Sequence, residues 1–176
     1  MENYNPDMKP GMKAGEVVLS NVRIVFRNFA GVEKQYNAEG KRNFAVVLTP
    51  DIATELEADG WNVKRRPPRE EGDEEFCFLP ITVSYKGRPP RVILLSSRGR
   101  TTLDQDTADM VDVAEIEKVD LIIRPYDWQV NGNAGRKAYL QSIYVTLYED
   151  ELELRYADVN EIGYNEPEDE DLFGED

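Results

Sequence analysis

Lysines, arginines and aromatic rings are interleaved along much of this 176-residue chain. Trp61-Asn62-Val63-Lys64-Arg65-Arg66 runs on to Arg69, while Lys86, Arg88 and Arg91 bracket a proline turn after Tyr85, with Arg98 and Arg100 in the segment beyond. Lys41 and Arg42 precede Phe44, Trp128 stands just before Asn131-Gly132, and Arg136-Lys137 precede Tyr139. Cations can track a chain of phosphates, and flat rings can stack on unpaired bases at about 1–3 kcal/mol each. The competing reading is that the cations solvate strand edges and the rings fill the core. Phe26, Phe44, Phe76 and Phe78 have apolar neighbours and read as core. Tyr36, Trp61 and Trp128 sit among polar residues near loops and fit either role.

Other chemistry has less to draw on. Histidine is absent, which removes a required part from catalytic triads, thiol proteases and the usual zinc sites. Neither a Walker-type phosphate loop nor a dinucleotide fingerprint occurs, and no cofactor is expected. Asp104, Asp106, Asp109, Asp112 and Asp120 are dense enough to raise magnesium-dependent nuclease chemistry. However, they fall mostly in a turn-rich stretch with no Lys or His spaced to activate water, so a solvated loop is the favoured reading. The single cysteine, Cys77, lies in Phe76-Cys77-Phe78-Leu79 and reads as a buried reduced thiol.

Charge is unevenly distributed. The chain has 35 acids and 21 bases, net −14, yet residues 157–176 contain nine carboxylates and no base. Without that segment 26 acids face 21 bases, net −5. A run this acidic cannot bury enough apolar surface to offset its ordering entropy, so a disordered tail is expected from Ala157 to Asp176. Within it, Asp169, Glu170, Asp171, Leu172 and Phe173 place an apolar pair among acids, as a partner-docking motif would. The tail can also mimic a nucleic acid and compete for the domain's own cations. An alternative that the net charge invites is an acidic DNA mimic that inhibits a host DNA-binding enzyme. Such a mimic should spread its acid over the folded surface, whereas this chain concentrates it at one end.

The elements that must carry these residues are mostly strands. Gly15 to Arg27 alternates, with Val18, Val22, Ile24 and Phe26 on one side and Asn21, Arg23 and Arg27 on the other. Lys41 to Thr49 repeats the pattern, after a short extended piece near Tyr36. Pro50 to Ala58 is the clear helix, with Thr49 as cap, Pro50 at its first position and Gly60 at its end. Trp61 to Arg66, Phe78 to Lys86 and Arg91 to Ser97 read as strands. Ser97 to Asp109 reads as a long loop, with a helical turn near Val113 to Lys118. Val119 to Val130 and Arg136 to Tyr148 flank a hairpin loop. Met1 to Lys13 is a polar arm without a secretory pattern, and no apolar run approaches membrane-span length. The expected class is mainly β, an antiparallel barrel or sandwich with one short helix, and a small Greek-key barrel fits the length.

Asn21-Val22-Arg23-Ile24-Val25-Phe26, Asn28-Phe29-Ala30-Gly31, Tyr36 and Gly40-Lys41-Arg42-Asn43-Phe44 resemble the opening of tailed-phage OB-fold single-stranded DNA-binding proteins. Asp59-Gly60-Trp61-Asn62-Val63-Lys64, Pro125-Tyr126-Asp127-Trp128 and Gly135-Arg136-Lys137-Ala138-Tyr139-Leu140 extend the resemblance over most of residues 15–156. It implies a five-stranded Greek-key OB barrel with elaborated loops, between a flexible arm at 1–14 and the tail at 157–176. It also implies sequence-independent coating of single strands in phage replication and recombination, without catalysis, in the cytoplasm of an infected bacterium. Tyr36, Arg42, Trp61, Lys64, Trp128, Arg136 and Tyr139 would then lie on or near the binding face. Arg23 and Arg27 join them from strand alternation, and Lys41, Arg66, Arg88, Arg91, Arg98 and Arg100 from the interleaving. Partners implied are single-stranded DNA and, through the tail, a polymerase, helicase or primase, with a homodimer left open. Unlike the bacterial tails, which finish on their aromatic, this one has three residues after Phe173.

Overall fold

The computed structural model describes residues 15–163. Strands β1 (Val17–Val22) and β2 (Ile24–Asn28) are successive halves of one extended segment, separated by Arg23. They are followed by β3 (Arg42–Leu48), helix α1 (Pro50–Ala58), β4 (Lys64–Arg66), β5 (Phe76–Val83), β6 (Arg91–Ser96) and β7 (Gly99–Leu103). Helix α2 (Met110–Val113), β8 (Ile116–Val130), β9 (Asn133–Leu147) and α3 (Glu151–Arg155) complete the order. The main path through the nine-stranded sheet is β1-β8-β9-β5-β3-β2, so its two ends are the two halves of the first segment. β9 pairs antiparallel with β8 and parallel with both β5 and β6, while β4 adds to β5 and β7 to β6.

Alternation makes these strands, because one side of each can be buried. Phe44, Val46 and Leu48 of β3 lie opposite Ile81, Leu79 and Cys77 of β5, and all six are buried. With Ile123, Leu140 and Ile143 they form the centre of the core, where each fully buried large side chain contributes about 1.5–3 kcal/mol. The Phe29 and Phe44 rings stack with centroids 4.9 Å apart. Helix α1 starts where expected: Thr49 Oγ1 accepts from the Ile52 amide, Pro50 takes the first turn, and Ala53 and Leu56 face inward. Cys77 is buried, and burial pushes its thiol above the usual range, so its place is structural.

Several expectations need correction. Three helices are present instead of one, and the long loop after Ser97 is largely the β6–β7 hairpin, turned at Gly99. The strand expected over Trp61–Arg66 is ordered into pairing only from Lys64, although Trp61 makes one isolated bridge to Arg136. Phe26 is 53% exposed and not core. The β2–β3 register shifts between Val25 and Asn28, and Phe26 has φ 54°, so the bulge exchanges the two sides. Phe26 turns out, and Arg27 turns in to donate from Nη1 to the Val111 and Ala114 carbonyls, both at 2.8 Å.

Candidate nucleic-acid interface

Residues directly paired across strands share a face, and every second residue returns to it. In β5 the side facing away from the core carries Phe76, Phe78, Pro80 and Thr82. Opposite them, β4 offers Lys64 beside Phe78 and Arg66 beside Phe76. Thr82 is level with Tyr139 of β9, and β9 in turn sets Tyr139 against Arg124, Lys137 against Tyr126 and Gly135 against Trp128 of β8. One face of the sheet therefore collects Arg124, Tyr126, Trp128, Lys137, Tyr139, Lys64 and Arg66.

The rings and cations on it touch. Tyr126 and Tyr139 meet edge to face at 5.7 Å, with the Arg124 guanidinium 5.9 Å and the Lys137 ammonium 5.5 Å from the Tyr139 centroid. Trp128 is 39% exposed and lies flat over Gly135, where an added Cβ would come within 2.7 Å of the indole Cζ2. Two clefts open on this face. One, of about 510 Å³, is lined by Lys64, Pro80, Thr82, Trp128, Gly135 and Lys137 among others. The second, of about 460 Å³, shares Thr82 and Lys137 and adds Lys41, Arg42, Lys86, Tyr85 and Tyr139. A flexible polyanion laid across them would meet cations on both walls and ring faces along its path.

The remaining expected residues take other positions. Trp61 is 3% exposed, with its Nε1 donating to Asp59 at 3.1 Å and its ring under the Arg136 guanidinium at 5.5 Å. It is a core residue beneath the cleft, because the turn after α1 folds it inward. Arg136 pairs with Asp127 at 2.8 Å and Asp59 at 3.1 Å, and its hydrogen bond to Asp127 keeps it more firmly protonated than usual against the effect of burial. Its charge is thus largely matched, and it ties the α1 end to the β8–β9 hairpin. Arg42 donates to the Phe29 carbonyl at 2.7 Å and stacks over Tyr85 at 5.0 Å, at the rim of the second cleft. Tyr36 is 93% exposed on the β2–β3 loop.

Arg27 is held by the α2 segment, as described above, and does not join this face. Arg23 borders a separate cleft with Glu115 to Glu117. Arg88 lies next to Arg124, whose Nη2 reaches the Arg88 carbonyl at 3.4 Å. Arg91 opens β6, Arg100 is exposed on the β6–β7 hairpin, and Arg98 borders a further cleft with Ala157 to Glu161. Sequence reasoning passed over Arg124 and Tyr126 as site members. Their spacing with Trp128, at every second position of one strand, was the available signal. The tail motif Asp169–Phe173 lies outside the described residues.

The acidic stretch from Asp104 is used for local structure. Asp104 Oδ1 accepts from the Asp106 and Thr107 amides and from the Thr107 hydroxyl, and these bonds hold its carboxyl below the usual range. Asp112 accepts from the Phe29 and Ala30 amides at 2.7 and 3.0 Å, and Asp120 from the Asn21 amide at 2.8 Å. Among the described residues no group of three or more His, Cys, Asp or Glu is arranged to hold a metal ion. Among them also no helix is long and apolar enough to cross a membrane.

A mainly β sheet with a ring-and-cation strip across one face defines a class of protein, one whose surface suits a flexible, base-bearing polyanion. The chain belongs to the family described as "Putative phage ssDNA-binding domain", which it matches over residues 9–174. Among solved structures it is similar to the single-stranded DNA-binding protein from bacteriophage Enc34 in complex with ssDNA. That likeness has 14% identity and a TM-score of 0.54, over 83% of this chain and 98% of that one. A C-terminal truncation of the Enc34 protein matches with 14% identity and a TM-score of 0.51, over 77% and 87% of the two chains. At this identity the likeness is one of fold. No curated protein matches the chain.

Proposed function

We propose that this chain binds single-stranded DNA without reading its sequence, in phage replication and recombination within the infected bacterial cytoplasm. The observation that carries the reading is the strip from Lys64 through Lys137 to Trp128, Tyr126 and Tyr139, where unpaired cations and accessible rings share one sheet face. The core reads as a five-stranded Greek-key OB barrel: β1 with β2 as the first strand, then β3, β5, β8 and β9. Support comes from the parallel β5–β9 pair and from a first strand whose halves pair with β8 and β3. Open strand faces and flanking loops of such barrels bind oligonucleotides. The acidic segment would act as a removable competitor for the strip and as the docking element for a polymerase, helicase or primase.

The test is a fluorescence-anisotropy titration of matched single- and double-stranded oligonucleotides, using the full chain and a chain ending at Gly163. Single strands should bind more tightly than duplex. If four to six phosphates are neutralised, log affinity should fall with log salt at a slope of about −3 to −4. The shortened chain should bind DNA more tightly. Salt-insensitive binding or equal affinity for duplex would sink the DNA reading, and loss of binding on shortening would sink the role given to the tail.

A further inference from the structure

The bulge in β2 exposes a second aromatic platform at the opposite end of β5 from Tyr139. Phe26 meets Phe78 edge to face at 5.5 Å and Phe76 at 6.5 Å, and Phe76 lies 5.3 Å from Phe78. The Arg66 guanidinium sits 5.6 Å from the Phe26 centroid and 5.2 Å from that of Phe78. Among the described residues no carboxylate pairs with Arg66. A lone exposed phenylalanine would call for no explanation. This one has φ 54°, a conformation that bulky L side chains rarely adopt and that glycine takes freely. Strained positions of this kind persist where the surroundings over-determine them, and they gather at binding sites.

The platform also continues the face already described. Phe76, Phe78, Pro80 and Thr82 alternate along β5, with Lys64 and Arg66 alongside, so about 20 Å of strand joins the Phe26 rings to Tyr139. From this we infer that Phe26, with Phe78 and Arg66, forms a second base-stacking subsite, so that single-stranded DNA runs across β5 from the Trp128 hairpin to the β2 bulge. Bases stack against Phe26, and Arg66 neutralises the adjoining phosphate. The inference rests on the DNA-binding reading above.

Phe26→Gly tests it in the full chain, because glycine accepts the backbone conformation and the variant should fold with an unchanged or higher melting temperature. Binding is measured with thymidine oligonucleotides of about 5 and about 16 nucleotides, near the limits of site sizes for such barrels. The longer oligonucleotide should bind Phe26→Gly about five- to hundredfold more weakly, with the shorter one little changed. Arg66→Gln should weaken the longer one too and reduce the magnitude of its salt slope by about 0.7. If wild type binds the longer oligonucleotide and both variants bind it equally well, the second subsite is wrong while the DNA reading stands. A wild-type chain that binds neither oligonucleotide overturns both. A change of oligomeric state in Phe26→Gly with DNA affinity intact would make the platform a protein interface and overturn the inference.

Discussion

Substituting Gly135 by alanine isolates what the Trp128 ring does. The backbone at Gly135 is not in the left-handed region, so alanine meets no conformational penalty there. The added Cβ would stand 2.7, 2.8 and 3.0 Å from Cζ2, Cε2 and Nε1 of the indole. Carbon atoms rest about 3.5–4.0 Å apart, so the ring must shift by roughly 1 Å or rotate off its seat. The hairpin is exposed on that side, and folding stability should change by less than about 1 kcal/mol. If Trp128 stacks on a base, moving it forfeits up to about 1–3 kcal/mol of binding. Gly135→Ala should therefore weaken single-strand binding by no more than Trp128→Ala does, and the double variant should match Trp128→Ala alone. Anisotropy titration provides the cycle, and tryptophan fluorescence gives an internal check because the other tryptophan, Trp61, is buried. Losses that simply add in the double variant would show that Gly135 acts independently of the indole and would refute the reasoning.

Asp112→Ala should destabilise the fold by about 1–3 kcal/mol, since it strips the Phe29 and Ala30 amides of their acceptor beside the buried Phe29 ring, and urea unfolding measures it. In acid, Asp104 and Glu149 should set part of the loss of stability. The Ser97 hydroxyl and amide hold Glu149 below its ordinary value, as the Thr107 and Asp106 bonds hold Asp104. Carboxyls depressed by folding contribute fully above their ordinary values, 4.5 and 3.8, and lose that contribution as pH falls through the folded values. Melting temperature should thus fall below about pH 4.5, and Asp104→Asn with Glu149→Gln should flatten that decline. An acid limb of unchanged slope would remove both groups from the account.

Elements with one dry side were readable from residue order alone. β3 announced itself through Phe44, Val46 and Leu48, and α1 through Thr49, Pro50 and the inward pair Ala53 and Leu56. β7 did not, because Gly99 to Thr102 are all exposed and only Leu103 is buried. Alternation placed Phe26 with Ile24, and a single bulge reversed it. The register at Val25–Asn28 depends on how β2 meets β3, which no local pattern encodes. Trp61 has polar neighbours yet is buried, since what covers it is Arg136, 75 positions away. The cations of the candidate face were likewise found by composition, but their sorting into facing and distant sets came from strand pairing.

β9 touches three other strands, and it is the last to be made. Until it emerges, the sheet exists only as separate pieces: β1 with β8, β6 with β7, and β2–β3–β5–β4. Each piece presents unpaired edges to any neighbouring chain. Assembly on the ribosome must therefore wait for the residues up to Leu147, and the joining contacts span large sequence separations, which slows folding. A nascent chain stalled just before Asn133 would hold nearly all of its core residues and none of the strand that unites them.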